Sequence, residues 1–214
     1  MDKAALRSRF FLDIYTKTLY IGAMKTVLQH LKDRHVDLNL HTVWVDEVER
    51  IATYPLWNLS GQLCGYQAYR PEASKVQKND EAGKYYTYRG KKLAPDRLER
   101  PNKNRAVSVA CMESWYLTNT LFVTEGYFDA VRFTELGVSA VALLSNDPSP
   151  DLQNWLMFVR QERPVVAICD PGRAGSKLVK AGHVSHVVQL PNDPDGDLGD
   201  ASPDYVQNLI DLYV

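Results

Sequence analysis

The chain has 214 residues, of which 45% are hydrophobic and 24% charged, with a formal net charge of -1; this is enough for one to two domains with a substantial core. Its three cysteines, Cys64, Cys111 and Cys169, are far apart with no CxxC pair, which excludes a zinc ribbon and a disulfide framework. No secretory signal opens the chain and no apolar run approaches membrane-spanning length, so a cytoplasmic protein without a membrane partner is expected.

The small net charge conceals a division. Residues 1–115 hold 19 Lys/Arg against 13 Asp/Glu, a net +6, and residues 116–214 hold 6 against 13, a net -7. One half therefore suits a phosphate backbone and the other suits cations. An acidic domain stabilised by a basic neighbour has the same composition.

In chain order, residues 1–35 read as two helices, with an apolar stripe broken near Gly22. Val36–Arg50 carries no firm pattern. Residues 54–70 contain two β-rich runs, YPLW and CGYQAYR, joined by the turn-like NLSGQ, which predicts a hairpin. A basic and aromatic stretch follows, with 11 Lys/Arg against 5 Asp/Glu over residues 70–105 and interleaved tyrosines at 85, 86 and 88. Such a stretch neutralises phosphates and stacks on unpaired bases, or it is a solvated face whose tyrosines pack the hairpin.

From Leu121 to Pro194 the sequence reads as three βα units. Short apolar runs (LFVT, AVALL, VVAIC) each precede a turn and a helix-length segment, and HVVQL closes the series. Leu152, Trp155, Leu156 and Val159 fall at i, i+3, i+4 and i+7, one apolar helix face. Continuous apolar runs mark parallel strands buried on both faces, and crossovers place all their carboxyl ends on one edge, the binding edge of open parallel sheets. Glu125, Asp129, Asp170 and the group Asp193, Asp195 and Asp197 would collect there. Converging carboxylates call for a hard divalent cation, or they are simply polar turn and N-cap residues. A last helix is predicted over Pro203–Tyr213.

These residues resemble a known fold. EGYFDA after LFVT resembles the first motif of the TOPRIM domain, the Mg²⁺-binding fold of bacterial-type primases, topoisomerases and some nucleases. CDPGRAG resembles its Asp-x-Asp motif, and LPNDPDGD the acidic loop that follows in primases. The resemblance implies that Glu125 acts in acid/base chemistry or positions metal, that Asp129 supports the site, and that Asp170 is the first aspartate of the pair. Gly172 holds the place of the second, which implies weaker metal binding. Mg²⁺ or Mn²⁺ would be held by Glu125, Asp170, Asp195 and Asp197.

Upstream, Tyr54-Pro55-Leu56, Gly61, Gly65-Tyr66, Arg70 and Lys84-Tyr85 resemble the amino-terminal subdomain of the catalytic core of bacterial and phage-type primases. YYTY replaces that pattern's asparagine-serine ending. The resemblance places Arg70 and Lys84 on a basic track for template and nucleotide phosphates. With Tyr85, Arg89, Lys91, Lys92, Arg173 and Lys177 they form the expected nucleic-acid and nucleotide contacts.

The expected fold is α/β: a TOPRIM-type, mainly parallel sheet with flanking helices over 116–214, preceded by a helical N-terminus and a smaller basic α+β subdomain over 1–115. The expected activity is metal-dependent synthesis of short primers from nucleoside triphosphates on single-stranded DNA. The family's zinc-binding and helicase-contacting regions are not recognisable, so a helicase or separate template-recognition protein is the expected partner. A chain of viral or mobile-element origin would act in the host cytoplasm. A TOPRIM nuclease and a catalytically degenerate nucleic-acid-binding protein are the alternatives.

Overall fold

A computed structural model describes residues 25–58, 61–75, 80–89, 110–111, 116–144, 148–160, 162–170, 178, 184–191 and 198–214. The chain begins there with helix α1 (Val27–Asp33), whose N-cap Thr26 side chain accepts the amide of Gln29. Glu47 adds a carboxylate at the same end, accepting the amides of Val27 and Leu28 at 2.8 and 2.9 Å, where the helix dipole favours negative charge. Of the residues predicted helical, those before Lys25 lie outside the described residues.

The first sheet is antiparallel, in the order β1 (Trp44–Asp46), β2 (Ile51–Trp57), β3 (Leu63–Tyr69), β4 (Tyr85–Arg89). The expected hairpin is β2–β3, with Tyr54 opposite Gln67 and Pro55 opposite Tyr66. Because side chains alternate across a strand, Tyr54, Gln67, Tyr69, Tyr85 and Thr87 share one face. On that face Tyr54 is 1% exposed, and its hydroxyl donates to the Gln67 carboxamide oxygen. The Gln67 amide in turn donates to Thr87 Oγ1 at 2.8 Å. The Val36–Arg50 segment, without pattern in the sequence, contributes only the three-residue edge strand β1.

The second sheet is parallel, in the order β6 (Ala140–Ala142), β5 (Leu121–Thr124), β7 (Val165–Cys169), β8 (His186–Gln189). Strands β5, β6 and β7 are buried at every position, as their continuous apolar runs require. Helix α2 (Tyr127–Glu135) follows β5, α3 (Pro150–Arg160) follows β6, and α4 (Pro203–Tyr213) closes the chain behind a Ser202 N-cap with Pro203 in the first turn. Leu152, Trp155 and Leu156 of α3 cover one sheet face with Val123, Val141 and Ala167. Gly137, at φ +75°, ends α2 in the left-handed conformation that glycine adopts without strain, and Val138 N–H closes onto Phe133 O at 3.1 Å.

The opposite face joins the two sheets into one core. Phe122, Val166 and Ile168 of the parallel sheet pack with α2 and α4, and the same cluster contains Tyr54, Leu56 and Tyr69 of the antiparallel sheet and Leu31 of α1. Tyr54 stacks on Tyr127 with ring centroids 3.8 Å apart, and Tyr69 meets Phe128 edge-on at 4.8 Å. Two polar links reinforce the junction: His41 Nε2 and Thr134 Oγ1 lie 2.8 Å apart, and Arg34 approaches Asp200 at 3.7 Å. Helix α2 is thus the element on which both sheets are docked. Among the described residues, no helix is long and apolar enough to cross a membrane.

Candidate active site

The carboxyl ends of β5 and β7 lie side by side because the two strands are direct parallel neighbours, with Val123 opposite Ala167. Glu125 leaves β5 and Asp170 leaves β7 at that edge, both half-buried. They line a cleft of about 220 Å³ together with Gly126, Tyr127, Phe128, Asp129 and Leu144, and its other wall is Arg34, Gln67, Lys75 and Tyr85. The cleft therefore lies between the parallel sheet's binding edge and the tyrosine-bearing face of the antiparallel sheet.

Backbone contacts fix the acidic edge. The amides of Leu143 and Leu144 donate to the carbonyls of Thr124 and Glu125, both at 2.9 Å. Thr124 Oγ1 donates to Gly126 O at 2.8 Å. The Gln189 side-chain amide on β8 donates to the Asp170 carbonyl. Burial raises the Glu125 carboxyl above its ordinary pKa, the neighbouring Asp170 charge raises it further, and Lys75 draws it down. Side by side at the strand ends, the Glu125 and Asp170 carboxyls offer hard oxygen donors of the kind that Mg²⁺ or Mn²⁺ takes. Among the described residues, no three His, Cys, Asp or Glu side chains cluster as a metal site.

Asp129 has a different place. It is 8% exposed, and its two oxygens accept the amides of Gly126 at 3.2 Å and Gly199 at 3.1 Å. It thereby caps the start of α2 and ties the turn at Leu198–Asp200 to it. A Cβ on Gly126 would sit 2.6 Å from Asp129 Oδ2, so a side chain there must displace the carboxylate. Gly126→Ala is expected to lower stability by about 1–3 kcal/mol, the cost of leaving buried polar groups unsatisfied. Thermal denaturation checks this, and an unchanged Tm would remove the clamp role from Asp129.

Of the basic residues singled out in the sequence, Arg70 and Lys84 meet through the Arg70 amide and the Lys84 carbonyl at 2.8 Å; neither is among the residues lining the cleft. Tyr85 lines the cleft and stacks on Tyr69 at 5.5 Å. Arg89 ends β4 opposite Gly65. Lys91, Lys92, Gly172, Arg173, Lys177, Asp195 and Asp197 lie outside the described residues. Arg34 was missed. It follows a seven-residue helix, sits with its guanidinium carbon 4.4 Å over the Phe128 ring, and carries no local pattern that marks it. Lys75 stood in the basic stretch without being distinguished from its neighbours.

A scan against protein-family models finds none that matches, and a search of curated proteins finds no match either. Solved structures do match in fold. The RNA polymerase domain of Mycobacterium tuberculosis primase DnaG aligns at a TM-score of 0.54 and 14% identity, covering 99% of this chain and 72% of that one. The same domain in complex with double-stranded DNA aligns at 0.54 and 15%, covering 88% and 61%. The zinc-binding and RNA polymerase domains of Aquifex aeolicus primase align at 0.52 and 20%, covering 83% and 45%. The chain spans about half the length of three primase structures it matches, 48%, 45% and 56%. At these identities the likeness is one of fold: an α/β, primase-like architecture.

Proposed function

We propose that this chain is a metal-dependent nucleotidyltransferase core that synthesises short primers on single-stranded DNA. The observation that carries the reading is the cleft itself, where two carboxylates from adjacent parallel strand ends face two cations and a tyrosine from the other half of the molecule. The fold likeness to primase RNA polymerase domains supports it. So does the Mycobacterium tuberculosis domain seen with DNA.

In this reading residues 116–214 carry the acidic edge and residues 1–115 handle template and phosphates. Glu125 and Asp170, with Asp195 and Asp197 from the following loop, would hold Mg²⁺ or Mn²⁺. That cation supplies charge stabilisation on the transferring phosphoryl oxygens. The 3′-hydroxyl oxygen forms the new bond to the α-phosphorus as the bond to pyrophosphate breaks, and Glu125, on the cleft wall at the end of β5, is the residue at hand to take the hydroxyl proton. Arg34 and Arg70 neutralise phosphate charge, and Tyr85 offers its ring to a base. Asp129 acts indirectly, by fixing the turn that presents Glu125.

The test is extension of labelled nucleotides on single-stranded template, with Mg²⁺ and then Mn²⁺, alone and with a helicase. Product supports the reading. Cutting of the template would replace it with a nuclease, and binding without either reaction would replace it with an accessory protein.

Binding of single-stranded DNA is expected to be steeply salt-dependent, because residues 70–105 carry 11 Lys/Arg against 5 Asp/Glu. With roughly five phosphate contacts, log K should fall with log salt at a slope of about -3.5. Fluorescence anisotropy across salt concentrations measures it, and a flat response would rule out this segment as the DNA contact.

A further inference from the structure

We propose that Lys75 is a nucleotide-binding residue that receives the triphosphate of the incoming nucleoside triphosphate on the wall facing Glu125 and Asp170. This rests on the nucleotidyl-transfer reading and adds to it a residue and the part of the substrate that it holds.

The β3–β4 connection is a built loop at its start. Arg70 N–H donates to Lys84 O at 2.8 Å, Lys84 N–H to Ser74 O at 3.0 Å, and Ala73 N–H to Arg70 O at 3.2 Å. Glu72 anchors it from outside. Its carboxylate takes the Arg50 guanidinium and lies 3.3 Å from His30 Nε2, tying the loop to α1 and to the start of β2. Lys75 follows Ser74 directly, so its backbone leaves from a fixed point.

From there Lys75 lines the cleft while remaining exposed. Among the described residues it makes no ion pair or hydrogen bond. Arg34, the other cation on that wall, is held by Asp200 and by the Phe128 ring. Lys75 brings three ammonium donors on a flexible stem suited to a mobile polyphosphate. It shares the cleft with the Glu125 and Asp170 carboxyls. Were Glu125 and Asp170 to hold a divalent cation, the Lys75 ammonium would be left for phosphate.

The experiment is calorimetric titration of the full chain with ATP and, separately, AMP, each with Mg²⁺. Lys75→Ala is expected to weaken ATP binding by roughly 10- to 100-fold, the loss of one charge-assisted contact. AMP binding should change little, and Lys75→Arg should recover most of the ATP affinity. Wild-type ATP affinity in Lys75→Ala, or equal losses for ATP and AMP, would overturn the assignment while leaving the broader reading in place. A loss confined to single-stranded DNA would reassign Lys75 to the template. If the wild-type chain binds neither ATP nor single-stranded DNA, the nucleotidyl-transfer reading fails and takes this proposal with it.

Discussion

Glu125→Gln is expected to abolish primer synthesis, lowering turnover by roughly 10³-fold, while fold and most DNA binding persist. Glu125 opens the turn directly beyond β5, a fully buried strand, and Asp129 holds that turn through the Gly126 amide, so its position is fixed from both sides. Glutamine keeps the shape and removes the charge, which separates metal and proton chemistry from packing.

The same substitution carries a stability signature of opposite sign. A carboxyl whose folded pKa is raised binds more protons folded than unfolded, so it costs stability as pH rises from the ordinary glutamate value of 4.5 through the folded value. Glu125→Gln should therefore match wild type in acid and melt higher than wild type at neutral pH. Mg²⁺ or Mn²⁺ should raise the wild-type Tm and leave the variant's nearly unmoved. Thermal melts from acid to neutral pH, with and without metal, read both effects beside the extension assay. An active Glu125→Gln enzyme would remove Glu125 from the chemistry. A variant inactive but unable to bind DNA would point instead to misfolding, which circular dichroism detects.

Tyr54→Ala should cause a large loss of stability, about 3–5 kcal/mol. Its ring is fully buried, stacks on Tyr127, touches Phe128 edge-on at 6.5 Å, and sends its hydroxyl to Gln67. Truncation empties the junction between the antiparallel sheet and α2 and orphans the Gln67 oxygen. For a chain of this size that corresponds to a fall in Tm of about 6–20 °C. Tyr54→Phe, which keeps the ring, should lose only about 1 kcal/mol. Because one core spans both sheets, wild type should unfold in a single transition by circular dichroism and by tyrosine fluorescence. Separate transitions, with the parallel sheet untouched by Tyr54→Ala, would mean that the two halves fold independently.

Much of the parallel half was legible from local pattern alone. A strand buried on both faces must be apolar throughout, so LFVT and VVAIC announced β5 and β7, and the acids that follow them had to be Glu125 and Asp170 at the carboxyl edge. The helix expected over Pro203–Tyr213 is α4, and NLSGQ between two β-rich runs marked the β2–β3 hairpin. These features depend on residues within one or two elements of each other, where periodicity and turn chemistry act directly.

Tertiary structure alone decided the rest. Nothing local specifies that β5 lies between β6 and β7, since apolar runs of similar composition are interchangeable until their helices and loops are placed. Nor does local pattern show that Tyr54 and Tyr69 face Tyr127 and Phe128 across most of a hundred residues, or that Arg34 and Lys75 reach the wall opposite the carboxylates. Asp129 makes the same point within a single helical turn. Its spacing from Glu125 suggested a second site acid, but the tertiary contact with Gly199 completes its use as a clamp on two backbone amides. Sequence alone determined which residue types stand at the strand ends. Packing decided which of them face one another, because burial of the shared aromatic core, and not any local preference, sets how the two sheets meet.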